Sequence, residues 1–141
     1  MKKLFSAASI FILLQFSAPV FADDFQDGLD AATQGDFKTA FEKWKPLAKK
    51  GSALAQFNMG LMYDKGEGVK RNYKKAVRWY KLAAKQGVAS AQFNLGVLYS
   101  KGKGVRQSFK KALIFYARAA KQGNVSAQFN LGLMYDIGEG V

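Results

Sequence analysis

Ala91-Gln-Phe-Asn-Leu-Gly-Val-Leu-Tyr-Ser-Lys-Gly-Lys-Gly-Val105 is nearly repeated twice in this chain, once before it and once after it. The earlier copy is Ala55-Gln-Phe-Asn-Met-Gly-Leu-Met-Tyr-Asp-Lys-Gly-Glu-Gly-Val69, and the later one is Ala127-Gln-Phe-Asn-Leu-Gly-Leu-Met-Tyr-Asp-Ile-Gly-Glu-Gly-Val141. Starts at 55, 91 and 127 fix a period of 36 residues. The intervening segments keep the same register: Phe37, Tyr73 and Phe109 are one period apart, as are Ala40, Ala76, Ala112 and Gly51, Gly87, Gly123. Self-similarity at such a period marks a stacked array, in which each unit buries its apolar face against its neighbours.

Each period reads as two helices. In the second of a pair, Tyr73, Ala76, Val77, Tyr80, Ala83 and Ala84 recur at i, i+3, i+4, i+7, i+10 and i+11, one apolar stripe at helical spacing. Asp36, Asn72 and Ser108 stand directly before these helices and offer a side-chain oxygen to the free N–H groups of the first turn. Lys-Gln-Gly at 85–87 and 121–123 stops them with a glycine suited to the left-handed region. The first helix runs roughly from Ala53 to Asp64 with a buried stripe of Ala55, Met59, Met62 and Tyr63. Gly60, Gly96 and Gly132 lie inside it, each costing about 1 kcal/mol relative to alanine, so a neighbouring helix is expected to press close there. The Gly66-Glu-Gly68-Val69 loop then supplies two flexible positions and an apolar plug. It follows a helix rather than a strand and lacks the third glycine of a dinucleotide fingerprint, so it is not a phosphate cradle.

At these residues the chain resembles the Sel1-like repeat family, a relative of the tetratricopeptide repeat. Ala-Gln-Phe-Asn-Leu-Gly-x-x-Tyr, Lys-Gly-x-Gly-Val, Ala-x-x-x-Tyr and Ala-Ala-Lys-Gln-Gly carry the likeness over residues 36–141. Residues 24–34 look like a shorter first helix, and Gln34-Gly35-Asp36 replaces the longer loop. The family often has Pro and Asp after Gly-Val; here Lys70 and Asn72, or Arg106 and Ser108, stand instead. Unlike the cysteine-rich exported members of Helicobacter type, this chain has no cysteine. The resemblance implies an all-α fold, a right-handed α-solenoid of helix-turn-helix repeats divided as 24–51, 52–87, 88–123 and a half repeat 124–141. It also implies a concave side, lined by first helices, that binds a protein or peptide.

The N-terminus reads differently. Met1-Lys2-Lys3, a mostly apolar run from Leu4 to Pro19 and Val20-Phe21-Ala22 form the pattern of a secretory signal peptide over residues 1–22. Ser6, Ser9, Gln15, Ser17 and Pro19 interrupt the run, which is short of the roughly 20 apolar residues of a spanning helix. The expected mature chain, residues 23–141, is one domain, exported to the periplasm or secreted. Without cysteine it depends on packing rather than disulfides.

Histidine and cysteine are absent, which removes catalytic triads, thiol chemistry and His or Cys metal sites. Ser100-Lys-Gly-Lys103 and Ser108-Phe-Lys-Lys111 match the serine–lysine spacing of penicillin-recognising enzymes. Ser108 is the repeat equivalent of Asn72 and Asp36, so capping accounts for it, and no companion motif is present. Asp64 with Glu67 and Asp136 with Glu139 pair carboxylates in loops, but the middle repeat has Ser100 and Lys103, so solvated loops are expected rather than cation sites. The chain is read as a non-enzyme needing no cofactor and no metal.

Two surfaces are left. Phe57, Leu61, Phe93, Val97, Phe129 and Leu133 make the first helices apolar nearly all round. Their main expected role is packing between successive first helices. Matched to the tetratricopeptide pattern, these residues with Asp64 and Lys65 occupy ligand-facing positions. Asn58, Asn94 and Asn130 match the asparagine with which that family contacts peptide backbones or carboxylates. The other surface is basic: Lys74, Arg78, Lys81 and Lys85 follow one flank of a second helix, and Lys38/Lys74/Lys110 and Lys49/Lys85/Lys121 form two rows across repeats. Twenty-two Lys and Arg against ten Asp and Glu favour an anionic counterpart, and outside the cytoplasm that is an envelope polymer or lipid headgroup rather than nucleic acid. Finally, the sequence stops after Gly138-Glu-Gly-Val141, so the stripe Ala127, Leu131, Met134 and Tyr135 is expected to lie uncovered. Either it pairs with another copy or partner, or the chain is part of a longer protein.

Overall fold

The computed structural model describes residues 19–141, with side chains from Asp23 onward. The leader expected over residues 1–22 falls outside this range apart from the backbone of its last four residues. Seven helices and no strands are found among the described residues. They pair as α1 (Pro19–Thr33) with α2 (Phe37–Lys49), α3 (Ala53–Lys65) with α4 (Tyr73–Lys85), and α5 (Ala89–Lys101) with α6 (Phe109–Lys121). A final first-type helix, α7 (Val125–Ile137), follows. α1 spans Pro19–Thr33, and its four residues before Asp23 belong to the expected leader, so beyond the leader it is shorter than the 13-residue helices that follow. It opens on Pro19, which suits a first turn that has no intrahelical N–H bond to lose.

The starts of the second helices are where their caps put them. Asp36, Asn72 and Ser108 accept the backbone N–H of Thr39, Lys75 and Lys111 at 3.1, 3.0 and 3.2 Å. Gly87 ends α4 at φ +91°, in the region where a side chain is strained.

Packing proceeds from neighbour to neighbour, as in a quasi-one-dimensional array. The core is a chain of three clusters. Trp44 and Leu47 of α2 meet Met59 and Met62 of α3; Val77 and Tyr80 of α4 meet Leu95 and Leu98 of α5; Tyr116 of α6 meets Met134 of α7. Beyond sequential neighbours, the first helices α3 and α5 come together whereas α4 and α6 do not to the same extent. The array therefore bends with its first helices inside, and the molecule is an α-solenoid.

The repeated glycine of the first helix is a seat for an aromatic ring. A Cβ on Gly96 would lie 2.6 Å from Tyr116 Cδ1, and one on Gly60 would overlap Tyr80. The close neighbour is thus a side chain of the next helix rather than its backbone. Gly132 has nothing within 4 Å of its Cβ position. Gly96→Ala should therefore destabilise the fold by about 1–3 kcal/mol, because Tyr116 is itself held by Phe93 at 5.7 Å and cannot step aside. Gly132→Ala should stabilise α7 by up to about 1 kcal/mol. Urea unfolding of both variants checks this, and equal signs would show that the ring is not what the glycine accommodates.

Two nearly buried glutamines tie repeats together. Gln56 Nε2 donates to the Ala48 carbonyl at 3.2 Å, and its Oε1 accepts from Gln86 Nε2 at 2.8 Å. One repeat on, Gln92 donates to Ala84 at 3.3 Å and accepts from Gln122 at 2.8 Å. The ladder satisfies buried polar atoms that would otherwise be costly.

The uncovered stripe expected on α7 is not the one found. Ala127 and Met134 are buried against α6, and Leu131 is half-buried. The preceding second helix clasps this face, as α2 clasps α3. Of the expected stripe only Tyr135 (56%) is exposed, and with it Phe129 (67%), Leu133 and Ile137 (64%), most of which lie on the face that α3 and α5 turn toward their following second helix.

Candidate functional site

The inner side of the array presents a cavity where a second helix meets the next first helix. At the first junction a cavity of about 140 Å³ is lined by Trp44 of α2 and Asn58, Leu61, Met62 and Lys65 of α3. At the third, a cavity of about 310 Å³ is lined by Tyr116 of α6, Asn130, Leu133 and Met134 of α7, and Val97 and Ser100 of α5. These residues are repeat equivalents two periods apart. An aromatic from the second helix forms the floor, an asparagine sits at the rim, and aliphatic side chains form the walls.

At the second junction the equivalent aromatic, Tyr80, is held by Asp64. Tyr80 donates its hydroxyl to Asp64 Oδ2 at 3.1 Å, and the Asn94 side chain lies near the same hydroxyl. Burial, and then the Asp64 charge, hold the Tyr80 hydroxyl far above its ordinary pKa, so it is a fixed donor. At the next junction Ser100 replaces Asp64. Its hydroxyl turns back onto the Val97 carbonyl at 2.9 Å and leaves Tyr116 facing the cavity.

The residues singled out from the sequence thus divide. Asn58, Leu61, Val97, Asn130 and Leu133 line cavities. Asp64 and Asn94 are committed to Tyr80. Phe57 and Phe93 are half-buried and pack on Tyr80 and Tyr116 at 5.9 and 5.7 Å, so they brace the second helix that follows rather than spacing first helices. Phe129, lacking that partner, is exposed. Trp44, Met134 and Tyr116 were not anticipated as lining. Their signal was present in the core stripe, whose members reach through to the inner surface.

The basic residues Lys38, Lys49, Lys74, Arg78, Lys81, Lys85, Lys110 and Lys121 are all exposed on α2, α4 and α6, on the outer layer. No acidic residue occurs in α4 or α6. Ser108 caps α6, so its match to a serine–lysine nucleophile is absorbed by the fold. Among the described residues, no three acidic side chains come together in a way that could hold a metal ion, and no helix is long and apolar enough to cross a membrane.

Comparison with known proteins agrees with this architecture. The Sel1 repeat model matches residues 53–88, 89–124 and 125–141. The fold is similar to a protective antigen of uropathogenic Escherichia coli strains that displays an SLR fold (TM-score 0.83, 37% identity). That likeness covers 86% of this chain and 27% of that one. It is also similar to a Sel1 repeat protein from Oxalobacter formigenes (TM-score 0.79, 34% identity), over 84% of this chain and 47% of that one. Helicobacter pylori cysteine rich protein B shares the fold at 20% identity, TM-score 0.63, over 79% of this chain and 94% of that one. The chain therefore spans about a quarter and about half of the length of the first two. No curated protein sequence matched. With three matched repeats covering most of an array in which α3 and α5 each seat the ring of the helix that follows, the chain belongs to the Sel1 repeat family.

Proposed function

We propose that this chain is an exported scaffold that holds a polypeptide along the inner face of its first helices. The family is generally a non-catalytic, protein-binding scaffold. The observation that carries the reading is the recurrence of one cavity type at the first and third junctions, with Asn58 and Asn130 at equivalent rims. An asparagine amide offers one donor and one acceptor face to a peptide backbone. The aliphatic walls at Leu61, or at Val97 and Leu133, take an apolar side chain. Two helix spacings place the cavities roughly 20 Å apart, about six residues of extended chain. The favoured ligand is thus an extended segment with apolar residues at about that separation. Export rests on the Met1–Ala22 pattern.

A photo-crosslinking amino acid placed at Val97 or Leu61, and as a control at Lys85, tests this in envelope fractions. Adducts with a polypeptide are expected from the first two positions and not from the third. Intact mass of the recovered protein should show an N-terminus at Asp23. Adducts from Lys85 alone would move the binding surface to the outer layer, and a mass that includes residues 1–22 would remove export.

A further inference from the structure

The outer layer carries charge in a pattern that a merely solvated face does not require. Lys81 of α4 and Lys111 of α6 come from different repeats, yet both place Nζ over the ring of Tyr99 on α5, at 5.9 and 5.4 Å from its centroid. Tyr99 is 6% exposed and stacks on Phe115 of α6, with centroids 5.5 Å apart and planes 10° from parallel. Over Phe115 in turn lies the Arg118 guanidinium, at 5.6 Å. Three cations thus converge on one aromatic pair. Their helices contain no carboxylate, and the ion pairs among the described residues are those of Lys43 with Asp24 and Asp27.

We propose that Lys81, Lys111 and Arg118, above the Tyr99–Phe115 platform, form a binding site for a phosphate group. The ring quadrupole compensates such cations only in part. Both ammonium groups lie within 5.9 Å of one ring centroid, so a single dianion placed between them is attracted by both. Donors arriving from three side chains on two helices suit a tetrahedral group with several free oxygens better than a planar carboxylate, and a guanidinium pairs two phosphate oxygens at once.

The equivalent place one repeat earlier shows what the site requires. There Lys75 lies over Tyr63 at 5.3 Å, but Trp79 stands in place of Phe115, Lys45 lies over Phe41 of its own helix at 5.5 Å, and it is Phe41 that meets Tyr63, edge to face rather than stacked. Leu82 occupies the position of Arg118, and Glu42 on α2 adds negative charge. One phosphate site per chain is therefore expected. It lies on the outer layer, independent of the inner groove.

Titration of the full mature chain with inorganic tripolyphosphate, followed by NMR, should move the Tyr99 ring signals and the Lys81 and Lys111 amides. The double variant Lys81→Gln/Lys111→Gln should bind roughly tenfold or more weakly, having lost two charge-assisted contacts. Lys74→Gln/Lys110→Gln removes the same charge from the same two helices and should change binding less than about threefold. These side chains are exposed, so both variants should fold. Co-sedimentation with phosphatidic-acid vesicles distinguishes the source. The same ranking there assigns a lipid headgroup, while tripolyphosphate binding without vesicle binding assigns a soluble or polymeric phosphate, and either result sustains the site. Equal weakening by the two double variants, or equally tight binding of polyglutamate, would overturn it.

Discussion

Gly104→Ala is expected to cost about 3 kcal/mol, which is large for the addition of one methyl group on a loop. Two penalties combine. Gly104 has φ +71°, where a side chain costs roughly 1–2 kcal/mol. Its Cβ would also sit 2.5 Å from both the carbonyl carbon and oxygen of Tyr73 and 2.9 Å from the Lys74 nitrogen. Those are backbone atoms of the first turn of α4 and cannot rotate away, so overpacking adds about 1–3 kcal/mol. The comparison that isolates the second penalty is Gly87→Ala. Gly87 has φ +91° and nothing within 4 Å, so only the conformational part, about 1 kcal/mol, should appear. Urea unfolding of the two variants settles the matter, and equal losses would sink the claim. The contact has a functional side as well. Gly104 rests the loop before α6 on the start of α4, which helps set the spacing at which Lys81 and Lys111 reach Tyr99. Gly104→Ala should therefore also weaken the phosphate site.

Much of this architecture was legible because the determinants are local and recur. A capping oxygen at Asp36, Asn72 and Ser108 needs only the next three residues to act. The stripe of α4 needs only its own helical period, and Ala76, Tyr80 and Ala83 are fully buried as the spacing predicts. What was not legible depends on partners distant in sequence. Gln56 and Gln92 carry no local signal of their role, since the amide that satisfies each arrives 30 residues later. Phe57 and Phe93 read as spacers between first helices, because nothing local says that a tyrosine ring lies over the neighbouring glycine. The exposed face of α7 was misassigned for the same reason. Either apolar face of that helix could be the covered one, and only the position of α6 decides that Ala127 and Met134 are buried. The inner candidates were found as a set through their repeat register. Whether the aromatic at a junction is held by a carboxylate turned on a single difference, Asp64 against Ser100, whose meaning appears only once Tyr80 and Tyr116 are placed.

Tyr80→Ala is expected to be the most damaging of these changes, at about 3–5 kcal/mol. Tyr80 is fully buried, lies over Gly60, packs on Phe57 at 5.9 Å and donates to Asp64 at 3.1 Å, so it joins α3, α4 and the core shared with α5. Removing the ring opens a cavity at the middle of the array, where each unit depends on both neighbours. Tyr80→Phe separates packing from hydrogen bonding. It keeps the ring, deprives Asp64 of its donor and should cost only about 1 kcal/mol. It should also alter the alkaline limb. Burial holds the Tyr80 hydroxyl above its ordinary value of 10.0, so above that pH the unfolded chain releases this proton first. The stability that depends on it is complete below pH 10 and is lost as pH rises further, and Tyr80→Phe should lose less over that range. The decisive measurement is a double-mutant cycle with Gly60→Ala. Alone, Gly60→Ala should destabilise, because its methyl group meets the Tyr80 ring. On the Tyr80→Ala background the same methyl group enters vacated space and gains helix propensity, so its effect should change sign, with a coupling of about 1–3 kcal/mol. Additive losses would mean that the ring and the glycine are not one packing unit. The assignment of Gly60 and Gly96 as ring seats would then fail with it.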